Sequence, residues 1–487
     1  MITRHFIDVG SKRSARRVHY RRAGSGPPLV MVHQSPRSSA EYIPLIERWA
    51  EHFTIFAPDT PGFGDSQPLS HPKPECEDYA DAVIAFLDAL GFGQVAAYGF
   101  HSGAIILVTA ARRAPERFSA IACGGYAIWT EAEKADFGAH YTPPFVPRPY
   151  GDHLAWLWGR ILEQSWFFPW YRAEPGSRLG VAHADPQRVQ PIVMECLSAG
   201  DSFSKGYAAV LRANRDIPDA GAPTPPVLIS AYDGDPLKAH MARLGAVPPS
   251  WRIAPVETPA ELEAEALAWL LAHPARAVDA CGPLVDEGFL PVIAAGFDGL
   301  LHWKGVGDLF VHAPGSAGSA APADMLAFDL PGHGLSDPWP EAPGGFGAIT
   351  DWATVILEAL MVLDARPSRV MGEGWGDALA ADVARGLGAV HCPATRPAGR
   401  MADWRAHGLP DLTPDQAGTH LLKAWRMVRA DTCFDPWFAP CAAHARPFDP
   451  ADLAPEALAV RHLALMRATA AQPYLAACLA ASLDCAA

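Results

Sequence analysis

The feature that most constrains the fold of this chain is a short turn, Gly99 to Gly103, that lies between two apolar segments. The run before it, residues 95–98, is short and apolar and predicts a buried strand. The run after it, residues 104–113, predicts a helix. A sharp strand-to-helix turn with a glycine at each end exposes the side chain at its tip, and the residue at that tip is His101.

The segments that precede this turn occur twice along the chain. In the first half, a strand ending at His33 is followed by a strand ending at Asp59, and the turn comes third. In the second half, a strand ending at His312 is followed by a strand ending at Asp329, and a turn with Gly374 at its tip comes third. Repetition of motifs in one order predicts two copies of one structural plan.

A tryptophan-rich segment also recurs. Residues 153–170 match residues 420–437 at a constant offset of 267, without gaps. We interpret this match as a gene duplication. The second copy ends after a helical run at 456–487, and nothing follows that matches the strand at 227–230 or the helix at 260–272. We therefore expect the second copy to lack the last strands of the first.

Together these motifs resemble the α/β-hydrolase superfamily, in its dehalogenase, epoxide-hydrolase and C–C-hydrolase branch. The resemblance implies a mostly parallel sheet flanked by helices, with a helical cap after the sixth strand, and the alternation of short apolar runs with helical patterns favours the same α/β class. The expected domains are an α/β-hydrolase domain at 1–275 with a cap at about 125–220, and a degenerate, truncated copy at 276–487 with a cap at about 395–487.

The resemblance also implies three catalytic positions: a nucleophile at the turn, an acid after a late strand and a histidine near the end. In this chain they correspond to His101, Asp235 and Arg252. Only the acid is of the family's usual type, and Gly374 occupies the turn position of the second copy. Neither copy has a nucleophile, histidine and acid together, which argues against hydrolysis through an acyl- or alkyl-enzyme and against a second active site.

Each of the three residues allows two interpretations. We expect His101 to exchange protons with a substrate, because imidazoles ordinarily titrate at about pH 6.5; the alternative is a histidine satisfied by packing alone. Arg252 is expected within salt-bridge reach of Asp235, either as a structural pair or with its planar guanidinium gripping a substrate carboxylate. In a further alternative, Asp235 orients His101.

A second group of residues is predicted to surround the substrate. The resemblance implies an oxyanion site formed by a backbone N–H of the His33-Gln34 segment and by the N–H of Ser102. Arg37 is predicted either to bind the substrate or to brace a loop. Aromatic residues of the cap are expected to line an apolar pocket, with core packing as the alternative for each ring: Trp158, Trp166 and Trp170.

Composition limits the partners. The formal charge of −14 argues against a nucleic-acid partner, and no apolar run is long enough to span a membrane. The first residues lack the apolar stretch of a signal peptide, so we expect a cytoplasmic protein. Nine cysteines without a C-x-x-C pair predict free thiols, no disulfide and no structural metal. The open sheet edge of the second copy is expected to dock onto the first domain or to form a homodimer.

Three classes of function follow. The first is a cofactor-free lyase, decarboxylase or cyclising enzyme that acts on a small apolar carbonyl or carboxylate compound by acid/base chemistry at His101. The second is a hydrolase in which His101 activates water without a covalent intermediate. The third is a pseudoenzyme that binds a ligand without catalysis.

Overall fold

The computed structural model describes residues 1–10, 15–277, 286–339 and 348–484. The chain divides into two compact units, of which the first comprises residues 1–146 and 157–285, and the second comprises 147–156 and 286–487. Each unit contains its own sheet with flanking helices, so the expected α/β class is confirmed. The division differs from the sequence-based one at 147–156, which the sequence assigns to the first domain.

The sheet of the first unit has eight strands. They are Thr3–Val9 (β1), Arg16–Ala23 (β2), Pro28–Val32 (β3), Thr54–Pro58 (β4), Val95–Phe100 (β5), Phe118–Gly124 (β6), Val227–Ala231 (β7) and Trp251–Pro255 (β8). Their order is β1-β2-β4-β3-β5-β6-β7-β8, and every pair from β4 onwards is parallel. Strand β3 is buried along its whole length, as expected for a parallel strand covered on both faces.

Among the described residues of this unit's segment of the chain, four helices flank the sheet and four form the cap. Along the chain they are Ile43–Trp49 (α1), Cys76–Ala89 (α2), Ser102–Arg113 (α3), Glu131–His140 (α4), Asp152–Glu163 (α5), Pro186–Ala199 (α6), Asp201–Leu211 (α7) and Pro259–Ala272 (α8). Helices α4 to α7 lie between β6 and β7, where the sequence predicts the cap.

Helix α3 positions the turn at residue 101. It is apolar on all sides and buried from Ser102 to Ala111, which is typical of a helix in the core of an α/β protein. Its close approach to β3 requires glycine, because a Cβ at Gly103 would lie 1.9 Å from the carbonyl oxygen of Val32. The packing of α3 against the sheet therefore fixes where the tip of the turn points.

The second unit repeats the first six strands. They are Glu287–Ala294 (β9), Phe297–Lys304 (β10), Leu309–Val311 (β11), Leu326–Phe328 (β12), Arg369–Gly372 (β13) and Val390–Cys392 (β14). Their order from one edge is β9-β10-β12-β11-β13-β14, which matches β1-β2-β4-β3-β5-β6 of the first sheet. Among the described residues, no strands follow that correspond to β7 and β8.

The helices of the second unit follow the same plan. They are Ile349–Val362 (α9), Asp377–Leu387 (α10), Met401–His407 (α11), Thr419–Cys433 (α12), Pro455–Arg467 (α13) and Ala471–Asp484 (α14). Helices α13 and α14 occupy the place in the order that α6 and α7 hold in the first unit.

A buried polar contact recurs in both units. The Nδ1 atom of His19 lies 2.8 Å from Oδ2 of Asp59, and the Nδ1 atom of His302 lies 2.9 Å from Oδ2 of Asp329. In each unit this contact ties the second strand to the loop after the fourth. A matching buried network in two sheets of the same strand order supports the interpretation of a duplicated plan.

Two further features concern the whole described chain. No helix in the described ranges is both long and apolar enough to cross a bilayer. The described cysteines are free thiols, and Cys281 and Cys485 lie outside the described residues.

Candidate active site

The turn between β5 and α3 places His101 at its tip, with φ 48° and ψ −110°. Such a positive φ is costly for a residue with a side chain, so the surrounding structure must enforce it. The His101 N–H donates to the carbonyl of Gly124 at 2.7 Å, and a Cβ at Gly99 would lie 2.6 Å from the backbone of Gly103. The turn is therefore held on both sides, and the imidazole projects from the end of the sheet.

The imidazole of His101 is paired with Asp235, which follows β7. Its Nε2 atom lies 3.1 and 3.2 Å from the two carboxylate oxygens of Asp235. The Asp235 side chain is fully buried and also accepts the backbone N–H of Leu237 at 2.8 Å, which fixes its orientation. No protein partner of Nδ1 is found in the described part of the chain. One ring nitrogen is thus oriented by a carboxylate and the other remains available for a substrate.

Two neighbours shape this pair, and neither was singled out in the sequence. Gly125 has φ +66°, and a Cβ at this position would lie 2.5 Å from Cδ2 of His101 and 2.8 Å from Oδ2 of Asp235. The ring of Phe100 stacks on the imidazole with centroids 4.1 Å apart and an interplanar angle of 15°. In the sequence, Gly125 could have been identified as a glycine directly after the strand that precedes the cap.

The predicted pairing of Arg252 with Asp235 is wrong. Arg252 is the second residue of β8, its side chain is about half exposed, and it pairs with Glu265 of α8 at 2.8 Å. Residues reach the site from beyond the carboxyl ends of the strands, whereas Arg252 lies near the amino end of its strand. Aligning the motif along the sequence misplaced this residue by most of a strand length.

The predicted oxyanion donor in the His33-Gln34 segment is already occupied. The N–H of Gln34 donates to Oε1 of Glu41 at 2.7 Å, and the Gln34 side chain donates to the other oxygen of Glu41 at 3.0 Å. His33 is buried, and its Nε2 accepts the backbone N–H of Thr60 at 2.9 Å. Both side chains therefore hold the loop after β3 rather than facing a substrate.

Ser102 supplies polar groups at the site instead. Its Oγ accepts the backbone N–H of Ser35 at 2.6 Å, and its own backbone N–H has no acceptor among the described residues. A hydroxyl that accepts from one side can donate its proton on the other. Ser102 thus offers two donors beside His101, the backbone N–H at the start of α3 and the hydroxyl.

Arg37 braces a loop, the second of the two readings of this residue. Its Nε donates to Oε2 of Glu195 at 2.5 Å, and both the N–H and the hydroxyl of Ser38 donate to Oε1 of Glu195. Since Glu195 lies on α6, these contacts connect the loop after β3 to the cap.

A small cavity of about 40 Å³ lies above His101, which is room for one or two water molecules. Besides His101 and Ser102, its wall contains aromatic residues, which are Trp129, Tyr141, Phe168 and Tyr207. None of the three predicted tryptophans lines it. Trp158 is buried in the core, the Trp166 indole donates to the carbonyl of His183, and the Trp170 indole donates to the carbonyl of Tyr141. The aromatic cluster in the sequence predicted an aromatic cap but did not show which rings face the cavity.

A buried arginine behind the cavity is a residue that the sequence reasoning missed. The guanidinium carbon of Arg160 lies 5.8 Å from the ring centroid of Tyr141 and 5.3 Å from that of Trp170. Its Nη1 donates to Gln164 at 2.9 Å, whereas Nε and Nη2 are buried without an acceptor among the described residues. No carboxylate pairs with it in that part of the chain, and an uncompensated buried charge is costly. In the sequence, Arg160 could have been identified as a charged residue within the tryptophan-rich helix.

Comparison with known proteins agrees with the fold. Residues 27–244 match a family model described as the alpha/beta hydrolase fold. Haloalkane dehalogenase 2 of Mycobacterium tuberculosis is 30% identical over 131 residues, which are 26% of this chain and 46% of that protein. The soluble epoxide hydrolase of Corynebacterium sp. (strain C12) is 38% identical over 91 residues, which are 18% of this chain and 30% of that protein. Residues 27–244 therefore have the α/β-hydrolase fold and are similar to this family.

The extent of these matches is limited. The chain spans less than half the length of these two relatives. Among solved structures, epoxide hydrolase A from Mycobacterium thermoresistibile is 17% identical, covers 56% of this chain and all of its own, and has a TM-score of 0.44. A thermophilic esterase from Thermogutta terrifontis is 16% identical, covers 56% of this chain and 99% of its own, and has a TM-score of 0.43.

Proposed function

We propose that the first unit is a cofactor-free enzyme that acts on a small apolar carbonyl or carboxylate compound, with His101 as its general acid/base. The reaction class is that of a lyase, a decarboxylase or a cyclising enzyme. The contact of His101 Nε2 with both oxygens of buried Asp235 carries this proposal, because it orients the ring of a residue that lines the cavity and leaves Nδ1 without a partner among the described residues. A covalent nucleophile is not required for such chemistry.

The proposed mechanism uses three groups of this chain. Nδ1 of His101 removes a proton from the substrate, and the carboxylate of Asp235 stabilises the imidazolium that forms. Negative charge that develops on the substrate oxygen is met by the backbone N–H and the hydroxyl of Ser102. The imidazolium then returns the proton to the product. General acid/base catalysis of this kind contributes about 10²- to 10⁴-fold to the rate.

Arg160 favours a substrate that carries a carboxylate. Tyr141 contacts the Arg160 guanidinium on one side and lines the cavity on the other. A substrate carboxylate that displaces the Tyr141 ring would accept from Nε and Nη2 of Arg160, which have no acceptor in the described protein. The role first assigned to Arg252 is therefore proposed for Arg160.

The second candidate is hydrolysis by water that His101 activates directly. Two observations favour it: the named relatives are a dehalogenase and an epoxide hydrolase, and the cavity beside His101 has the volume of one or two waters. In this version Nδ1 of His101 takes a proton from water, and the hydroxide attacks the substrate without a covalent enzyme intermediate.

The experiment is a substrate screen with the full chain, using small keto acids, lactones and esters in H₂¹⁸O. Turnover that falls far more in His101→Ala than in Ser102→Ala supports acid/base catalysis by His101, because Ser102→Ala removes only one of two donors to the oxyanion. Incorporation of ¹⁸O into the product distinguishes hydrolysis from the lyase and decarboxylase class. Labelling of Ser102 by a serine-directed phosphonate, or equal losses in both variants, would assign the chemistry to a serine nucleophile. Binding of these compounds without turnover would leave a ligand-binding pseudoenzyme.

A further inference from the structure

The second unit contains a cavity of about 910 Å³, which is much larger than the cavity at His101. It lies beyond the carboxyl ends of β11 and β13, where Ala313 and Gly374 form part of its wall, and helices α12 and α13 enclose it. In open α/β sheets this end of the strands is where ligands bind. The volume is also in the range of small-molecule sites.

The chemistry of the first unit is absent from this position. Gly374 stands at the tip of the turn with φ +50°, and a Cβ there would meet no atom closer than 3.6 Å. Pro314 occupies the position that corresponds to Ser35, and proline has no N–H to donate as Ser35 donates to Ser102. The cavity therefore has space where the first unit has a reactive side chain, which favours binding over catalysis.

One part of the wall is apolar and rich in aromatic rings. Trp375 and Trp404 are buried and contact each other with ring centroids 5.8 Å apart. Trp437 and the aliphatic side chains of Leu465 and Leu475 complete this surface. Such a lining suits the apolar body of a ligand.

Two arginines of the wall share one carboxylate. Nη2 of Arg461 lies 2.6 Å from Oδ2 of Asp431, and Nη2 of Arg446 lies 3.6 Å from the same oxygen. Arg461 is further held by Thr432, whose hydroxyl accepts from Nη1 at 2.6 Å. Two guanidiniums around one carboxylate leave one positive charge in excess at this point and N–H groups free to donate.

Three other acids line the wall, and two of them, Glu373 and Asp435, are already used by the protein, whereas Asp452 is exposed. Oε2 of Glu373 accepts the backbone N–H of Ala313 at 2.9 Å, and both oxygens of Asp435 lie 3.0 Å from the backbone nitrogen of Ala398. These carboxylates hold loops around the cavity. The wall also offers donors, which are the guanidiniums of Arg446 and Arg461 and Nε1 of Trp375, a buried atom without a hydrogen-bond partner among the described residues.

We propose that this cavity is a binding site for a small organic acid, with its apolar or aromatic body against the tryptophans and its carboxylate at Arg446 and Arg461. The proposal is independent of the chemistry at His101. It assigns the second unit a binding function although its turn carries no reactive group.

The test is calorimetric titration of the full chain with 3-phenylpropionate and with its neutral amide. We expect the acid to bind at least about tenfold more tightly than the amide, since a charged hydrogen bond is at stake. Arg461→Gln should remove this preference, whereas Arg426→Gln, at an exposed position of α12 outside the cavity, should not. Val460→Trp, at a largely exposed position of the cavity wall, should block both probes without disturbing the core.

Three results would overturn the proposal. They are the absence of binding to the unmodified chain, equal affinity for acid and amide, and acid binding that neither Arg461→Gln nor Val460→Trp weakens. The last would place the bound acid outside this cavity. Thermal denaturation of each variant shows that a loss of binding is not a loss of folding.

Discussion

The two units have the same turn, but the turn of the first unit carries a side chain at its tip and that of the second does not. At residue 101 the backbone has φ 48° and carries an imidazole paired with a buried carboxylate; at residue 374 it has φ +50° and carries no side chain. The cavity above the first is about 40 Å³, and the cavity beside the second is about 910 Å³. The strand order and the turn geometry of this fold therefore do not depend on the chemistry of the residue at the turn.

The backbone plan persists because buried polar contacts hold it, not because the turn is reactive. In both units the histidine after the third strand binds the loop after the fourth: Nε2 of His33 accepts from Thr60 at 2.9 Å, and Nε2 of His312 accepts from Leu330 at 3.1 Å. Removing a partner from such a buried pair leaves an unsatisfied polar group. These contacts are thus kept in a unit whose site has lost its reactive residues.

The largest expected effect tests whether chemistry is confined to the first turn. His101→Ala should reduce kcat by about 10²- to 10⁴-fold, the range of general acid/base catalysis. The matched variant Gly374→His should leave kcat unchanged, because the second unit has no acid equivalent to Asp235 in its described part. Steady-state kinetics on a substrate from the screen checks both. A loss in Gly374→His as large as that in His101→Ala would contradict the comparison.

The next effect concerns the space that the catalytic pair requires. Gly125→Ala should reduce kcat by about 10²-fold, because its Cβ would lie 2.5 Å from His101 and displace the ring from its aligned position. Gly176→Ala, at a glycine with no atom within 4 Å of an added Cβ, is the control. Full activity in Gly125→Ala would show that the geometry of the His101–Asp235 pair is not needed.

A smaller effect separates two arginines. Arg160→Met should raise KM for a carboxylate substrate by about tenfold, since a charged hydrogen bond is lost. It should not lower Tm, because the buried guanidinium has two nitrogens without acceptors. Arg252→Met should leave KM unchanged, since its pair with Glu265 is exposed and contributes little. An unchanged KM in Arg160→Met would remove the carboxylate from the proposed substrate.

The smallest effect is a pH dependence specific to the first unit. Burial raises the pKa of Glu41 from 4.5 to about 7, although Arg37 and the hydrogen bonds from Gln34 oppose this. The folded state therefore holds this proton more tightly than the unfolded chain, and the stability so gained below about pH 4.5 is lost as the pH rises through about 7. Ala320 occupies the corresponding place in the second unit.

Urea unfolding of the native chain and of Glu41→Gln at about pH 5 and about pH 8 measures this difference. The stability of the native chain relative to the variant should fall between the two pH values, by an amount on the order of 1 kcal/mol because Glu41 is partly exposed to a cavity. A relative stability that rises with pH would mean that the carboxylate form is the one that folding favours.

The fold class and the position of His101 follow from the sequence alone. Short apolar runs, helical runs and a Gly-flanked turn are local patterns, and a repeated order of such patterns predicts the two sheets. The alternative in which Asp235 orients His101 also rested on a local signal, an acid directly after an apolar strand. The structure brings these two side chains into contact.

Which polar and aromatic residues surround that pair depends on tertiary packing. Arg252 was misplaced because a motif alignment does not fix where a strand begins, and the three tryptophans because a cluster of aromatic residues in the sequence does not show which neighbours each ring meets. Gly125 and Arg160 matter through distances to residues far away in the chain, 2.5 Å to His101 and 5.8 Å to Tyr141. Contacts between distant segments arise from the packing of cap and sheet, which local sequence patterns do not encode.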